Sequence, residues 1–173
     1  YPLAKDQHQT TDYVEMKGKK SDDVLASVEE FAKPEYGVDV FKLESPVNAT
    51  DADGSDEVQR IFDEMGRLAG RPWVMLSAGA GKDDFRNILD HAFKAGASGF
   101  LAGRAIWLDA FNHYPDWDVI HTELTGASNQ YLAEISALAD KQAHNWTKHT
   151  CFGSQGAHFK PADASFRHVY PEA

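Results

Sequence analysis

Lys42 stands inside an apolar run, "VDVFKLESP", with Glu44 two residues further on. An amine in such a run is the raw material of Schiff-base chemistry. Desolvation penalises the ammonium form, and the neutral amine attacks carbonyl carbon. A structural ion pair with Glu44, or a lysine reaching from a strand end to water, satisfies the same pattern. For this stretch alone the structural reading is the commoner one, because charged side chains are rarely buried without a partner. Two other stretches have the chemistry to hold an anion. "LSAGAG", residues 76–81, is a glycine-rich turn that leads into a helix, so backbone N–H groups and the positive helix end converge there. "FLAGRAIW", residues 100–107, puts Gly103 and Arg104 at the end of an apolar run, where a guanidinium can grip an oxyanion through two parallel hydrogen bonds. The plain alternatives are a tight turn for the first and a surface salt bridge for the second.

Other tempting patterns fail on spacing. "GAGK", residues 79–82, is not a nucleotide-binding P-loop, because Leu76 stands where that motif needs glycine and Asp83 where it needs serine or threonine. "DADGSDE", residues 51–57, lacks a calcium loop's first and twelfth ligands, since Ala49 and Arg60 occupy those positions when Gly54 is the sixth. It reads as an acidic turn that caps a helix. The 8 histidines include no close pair at zinc-ligand spacing, so no metal is expected. His91 reads as a surface or interhelical residue, and Cys151 as a packed thiol.

The elements that must position these residues alternate. Residues 21–33 read as a helix capped by Ser21, with Val24, Val28 and Phe31 on one face. A strand follows at 38–44. A second helix, 55–70, is capped by Ser55 and ended by Gly70. Then come a strand at 73–79, a helix at about 83–95, a strand at 98–107, and a longer helical region at about 117–142 with a break near Gly126. Along the first strand Val40, Lys42 and Glu44 share one face, while Phe41 and Leu43 share the other. Short apolar strands alternating with helices every 30 residues or so predict parallel strands covered by helices, as a barrel or as a doubly wound sheet. Residues 143–173 show no period and read as an irregular extension beyond a domain spanning 1–142.

Composition bounds the rest. The chain has 173 residues, 42% hydrophobic, enough for one domain with a core. Its net charge of −10 argues against a nucleic-acid footprint and a polybasic membrane anchor, but leaves room for a local phosphate site. One cysteine excludes an intrachain disulfide. No apolar run approaches the roughly 20 residues of a membrane-spanning helix, and no signal peptide is visible, so a cytoplasmic location is expected. The opening "YPLAKD" reads as the end of a strand whose upstream part is absent.

Taken together, "YGVDVFKLESPVN", "PWVMLSAGA" and "AGASGFLAGRAIW" with Asp109 close behind resemble the C-terminal half of the tagatose 1,6-bisphosphate aldolase family, which includes the related sulfofructose phosphate aldolases. The resemblance is good over about residues 20–110. It implies a class I aldolase on a (β/α)8 TIM barrel, with this chain holding the end of strand five, at Tyr1–Leu3, through strand eight. It implies that Lys42 forms the Schiff base with the substrate ketone, with Glu44 in a supporting role. It implies that Ser77, Ala78 and Gly79, with Gly103 and Arg104, hold a phosphate or sulfonate. No metal or other cofactor is implied, and the partner is a small sugar phosphate or sulfonate. The family's acid/base glutamate would fall just before Tyr1, and Ser45 stands where relatives often carry a larger residue. A phosphate-binding barrel isomerase or epimerase, with Lys42 merely electrostatic, is the competing enzyme class. A half-barrel leaves two strand edges unpaired, so self-association as a homo-oligomer, without activity, is expected of such a chain alone.

Overall fold

The computed structural model describes residues 20–158. The expected strand at Tyr1–Leu3 lies outside them. Three strands, β1 (Phe41–Leu43), β2 (Trp73–Leu76) and β3 (Phe100–Leu101), form a parallel sheet in the order β1-β2-β3. Phe41 registers with Trp73 and Lys42 with Val74, while Met75 registers with Phe100. Helices α1 (Lys20–Phe31), α2 (Asp56–Ala69), α3 (Lys82–Lys94) and α4 (Arg104–Phe111) alternate with them. Each helix packs on the next, α1 on α2, α2 on α3 and α3 on α4.

α2 shows how the sequence makes these elements. Ser55 accepts a hydrogen bond from the N–H of Val58, Asp56 and Glu57 complement the first turn, and Gly70 closes the helix in a left-handed conformation. Val58, Phe62, Met65 and Ala69 form its buried stripe, and each large member contributes about 1.5–3 kcal/mol by leaving water. Gly66 lies between the stripe and the end of α3. A Cβ there would stand only 2.4 Å from the Ala95 carbonyl oxygen, so the approach of the two elements depends on glycine.

The first helix begins earlier than its expected cap. Ser21 is already helical, and its hydroxyl donates to the Pro46 carbonyl at 2.8 Å, tying α1 to the loop after β1. Val24 and Val28 are buried, but Phe31 is exposed and packs on Tyr36 instead, because α1 ends there and the chain turns away through Pro34 and a left-handed Gly37.

The third strand is the largest correction. The run 98–107 is a strand only at Phe100–Leu101, and from Arg104 it is helix α4. A short apolar run satisfies either state by pattern. Arg104, Ala105 and Leu108 all favour helix, and the Gly103 carbonyl accepts from the N–H groups of Ile106 and Trp107 to start it. The long helical region consists of α5 (Trp117–Glu123) and α6 (Asn129–Gln142), joined by a wide turn at Leu124–Ser128 that contains Gly126. Backbone dihedrals stay right-handed at both joints, so this is a bulge in one helical path rather than a break. α6 packs on α3. After it the chain makes two short helical turns, Trp146–Lys148 and Thr150–Phe152. No described helix is long and apolar enough to cross a membrane.

Candidate active site

Alternation along β1 is as the sequence predicts. Phe41 and Leu43 are buried against the helices, with Trp73 and Met75 beside them in β2. Lys42 points to the other face. That face is not covered by any described element, and Val40 and Leu101 on it are 55% and 48% exposed. Lys42 is therefore exposed, not desolvated as expected, because no described element packs over its row. The expected structural pairing is absent too. Among the described residues Lys42 makes no ion pair, with Glu44 or with any other carboxylate. Glu44 is half-buried on the same face. Both border an open cleft of about 320 Å³ with mainly apolar walls, among them Phe31, Val40 and Leu76. Ser45 beside them is buried, and its hydroxyl donates to the Val47 carbonyl at 2.7 Å.

The turn after β2 lies at the carboxyl end of the sheet. Ser77 is buried, and its N–H donates to the Leu101 carbonyl, which joins this turn to the end of β3. The chain then reverses through Ala78 at φ 47° and Gly79 at φ 86°. Ala78 is the one described non-glycine residue with positive φ, a conformation that costs about 1–2 kcal/mol for an L-residue. Ser77 and Gly81 carbonyls accept from Ala80 and Phe85 and so lead into α3. Its first turn already carries Asp83 and Asp84, which complement the helix dipole. The positive charge facing this turn is supplied instead by Arg104, whose guanidinium lies directly against Gly79. Gly103 and Arg104, at the start of α4, are thus brought to the 77–79 turn. Arg104 is exposed and makes no ion pair among the described residues.

Sequence reasoning missed the brace behind this turn. Lys82 Nζ pairs with Asp109 Oδ2 at 2.8 Å, linking the first turn of α3 to α4. Tyr131 of α6 donates its hydroxyl to the Lys82 carbonyl at 2.9 Å, and its ring lies under the Lys82 and Arg86 cations. Burial pushes the Tyr131 phenol up to about 12. The position of Lys82 just after Gly81 was visible, but its partner 27 residues on in another helix carried no local signal.

No group of three or more His, Cys, Asp or Glu among the described residues is placed to hold a metal. His91 is interhelical: it is buried, its Nδ1 lies 2.7 Å from Gln59 Oε1 of α2, and its ring stacks on Phe62.

Comparison with known proteins places this arrangement. The DeoC/LacD family aldolase model matches residues 2–109. The tagatose 1,6-diphosphate aldolase of Listeria monocytogenes is 34% identical over 155 residues, 82% of this chain and 45% of that protein. Tagatose 1,6-diphosphate aldolase 1 of Enterococcus faecalis is 37% identical over 108 residues, 57% of this chain and 32% of the relative. Tagatose 1,6-diphosphate aldolase 2 of Streptococcus mutans is 29% identical over 136 residues, 71% and 41% of the two chains. The chain spans less than half the length of these relatives. With a family match over more than half its residues, covering the lysine strand and the 77–79 and 103–104 turns, the chain belongs to the DeoC/LacD family of aldolases.

Proposed function

We propose that this chain carries the Schiff-base lysine and the phosphate clamp of a class I aldolase that cleaves a ketose bisphosphate of the tagatose 1,6-bisphosphate type. The observation that supports it most is the pair of cations, Lys42 and Arg104, that have no ion-pair partner among the described residues of an acidic protein. Cations without a counter-charge are suited to an anionic ligand, and Arg104 stands against a turn rich in backbone N–H groups.

On this reading β1, β2 and β3 are strands six, seven and eight of a (β/α)8 barrel. The phosphate then lies between the loops after the last two strands, where barrels often bind it. The exposed face of β1 becomes the barrel interior once other strands close it, and closure desolvates Lys42 toward the neutral amine.

The chemistry follows from that placement. The Lys42 amine attacks the ketone carbon, and water leaves to give a protonated imine. A base takes the proton from the C4 hydroxyl, and the C3–C4 electrons flow into the imine. Glyceraldehyde 3-phosphate departs as the aldehyde. Protonation of the enamine and hydrolysis release dihydroxyacetone phosphate and restore the amine. Gly103, Arg104 and the 77–79 turn hold the phosphate so that the carbonyl lies within reach of Nζ. A sulfonated analogue offers the same tetrahedral anion to these donors. Glu44 supports Lys42 electrostatically.

Borohydride trapping tests the proposal. The full-length protein is incubated with dihydroxyacetone phosphate, reduced and digested. A substrate-derived mass on the peptide containing Lys42 is expected, and its absence from the Lys42→Met variant. No adduct on the unmodified protein, or an equal adduct on the variant, contradicts the reading.

A further inference from the structure

The opposite end of the sheet holds a second cationic recess. Trp73 begins β2 and Ser98 precedes β3, so the recess between them lies at the amino ends of the strands, away from the 77–79 turn. It encloses about 310 Å³, and its polar wall is built by Ser98, His144, Asn145, Lys148 and His149. Among the described residues no carboxylate lines it, although the chain carries 27 acidic residues.

Its wall is ordered by its own backbone. The His144 N–H donates to the Ala97 carbonyl at 2.9 Å, anchoring the segment beside the approach to β3. Asn145 caps the next turn, accepting from the Thr147 N–H. The Ala157 N–H returns to the Thr147 carbonyl at 2.7 Å. His149 Nδ1 accepts from the Cys151 N–H at 3.2 Å, so the neutral ring carries its proton on Nε2 and offers it as a donor. The Ser98 hydroxyl is shielded from solvent yet has no hydrogen-bond partner, one of two such side chains among the described residues.

The charges here repel one another. Burial holds the His149 imidazole below its usual range, and the nearby Arg71 and His144 lower it further. Lys148 adds a full positive charge and makes no ion pair among the described residues. Positive charge with no counter-charge among the described residues raises the local potential, which a doubly charged tetrahedral oxyanion relieves through charge-assisted hydrogen bonds.

We propose that this recess is a second anion site, remote from the candidate active site, that binds the phosphoryl group of a small phosphorylated metabolite through Lys148, His149 and His144. It does not depend on the aldolase reading, because none of its residues lies at the carboxyl ends of the strands.

The test is a titration of the full-length protein with inorganic phosphate in one arm and glycerol phosphate in the other, following the His144 and His149 imidazole resonances. Both signals are expected to shift to saturation, with the His149 pKa rising. Lys148→Met should weaken binding about tenfold, Lys148→Arg should restore it, and Arg104→Met should leave it unchanged. Tighter binding of the ester identifies a metabolite ligand. Equal binding identifies the phosphoryl group as the whole determinant, and either result supports the site. Resonances unmoved at about 10 mM of both anions, shifts indifferent to Lys148→Met, or shifts abolished by Arg104→Met overturn it.

Discussion

The guanidinium of Arg104 rests on the backbone of Gly79. A Cβ on that glycine would stand 3.1 Å from Arg104 Nη2 and 3.2 Å from Cζ, and the residue sits at φ 86°. Two independent demands, conformation and space, therefore fall on one position. Gly79→Ala is expected to cost about 1–2 kcal/mol of stability from the backbone alone and to push the guanidinium off the turn. Thermal unfolding measures the first effect and phosphate affinity at this end of the sheet the second. A variant with unchanged phosphate affinity would separate Arg104 from the clamp.

Lys42 is exposed and unpaired among the described residues, so its removal should leave the fold intact. Lys42→Met is expected to change stability by no more than about 0.5 kcal/mol while eliminating the borohydride adduct. Urea unfolding and mass spectrometry on the same sample provide both readings. A large stability loss would instead mark Lys42 as a structural residue.

Gly66 faces the Ala95 carbonyl, where an added Cβ would stand at 2.4 Å. Backbone cannot yield as a flexible side chain does, so Gly66→Ala should separate α2 from the end of α3. A loss of about 1–3 kcal/mol is expected, read as a lower unfolding midpoint. Gly126 has open space around it, and Gly126→Ala serves as the control with no such loss.

His91 gives the fold a pH dependence of known sign. Desolvation, then the Lys94 charge, holds its imidazole below the usual range, while the flanking acids Asp90, Asp53 and Asp63 oppose this. The unfolded chain therefore binds a proton where the folded one does not. The associated stability is present above the unfolded value of about 6.5 and is lost as pH falls toward the depressed folded value. Unfolding midpoints should drop between about pH 7 and pH 5, and His91→Gln should shrink that slope. An unchanged slope would assign the acid sensitivity to other groups.

Tyr131 ties α6 to the base of the 77–82 turn. Its phenol should ionise near 12, about two units above an unperturbed tyrosine, visible as a late step in an ultraviolet titration. Its raised value also means that folding stability falls as pH rises from about 10 toward 12. Tyr131→Phe removes the bond to the Lys82 carbonyl and should cost about 1 kcal/mol. A phenol titrating near 10 would contradict its burial.

The sequence by itself determined the local elements. Ser55 and Gly70 bound α2 because capping is a matter of adjacent residues, and the stripe Val58, Phe62 and Met65 shows because it repeats at helical period. The alternation of Phe41, Lys42 and Leu43 was equally legible, as strand geometry fixes which side chains share a face. What only the tertiary structure decided concerns separation in the chain. The register of β2 on β3 and the early start of α4 bring Arg104 to Gly79, 25 residues away, and Lys82 to Asp109. Whether Lys42 is dry or wet depends on what covers its face of the sheet, and no pattern within "VDVFKLESP" carries that information. Propensity and period act over a few residues, whereas adjacency and burial are set by how the elements pack.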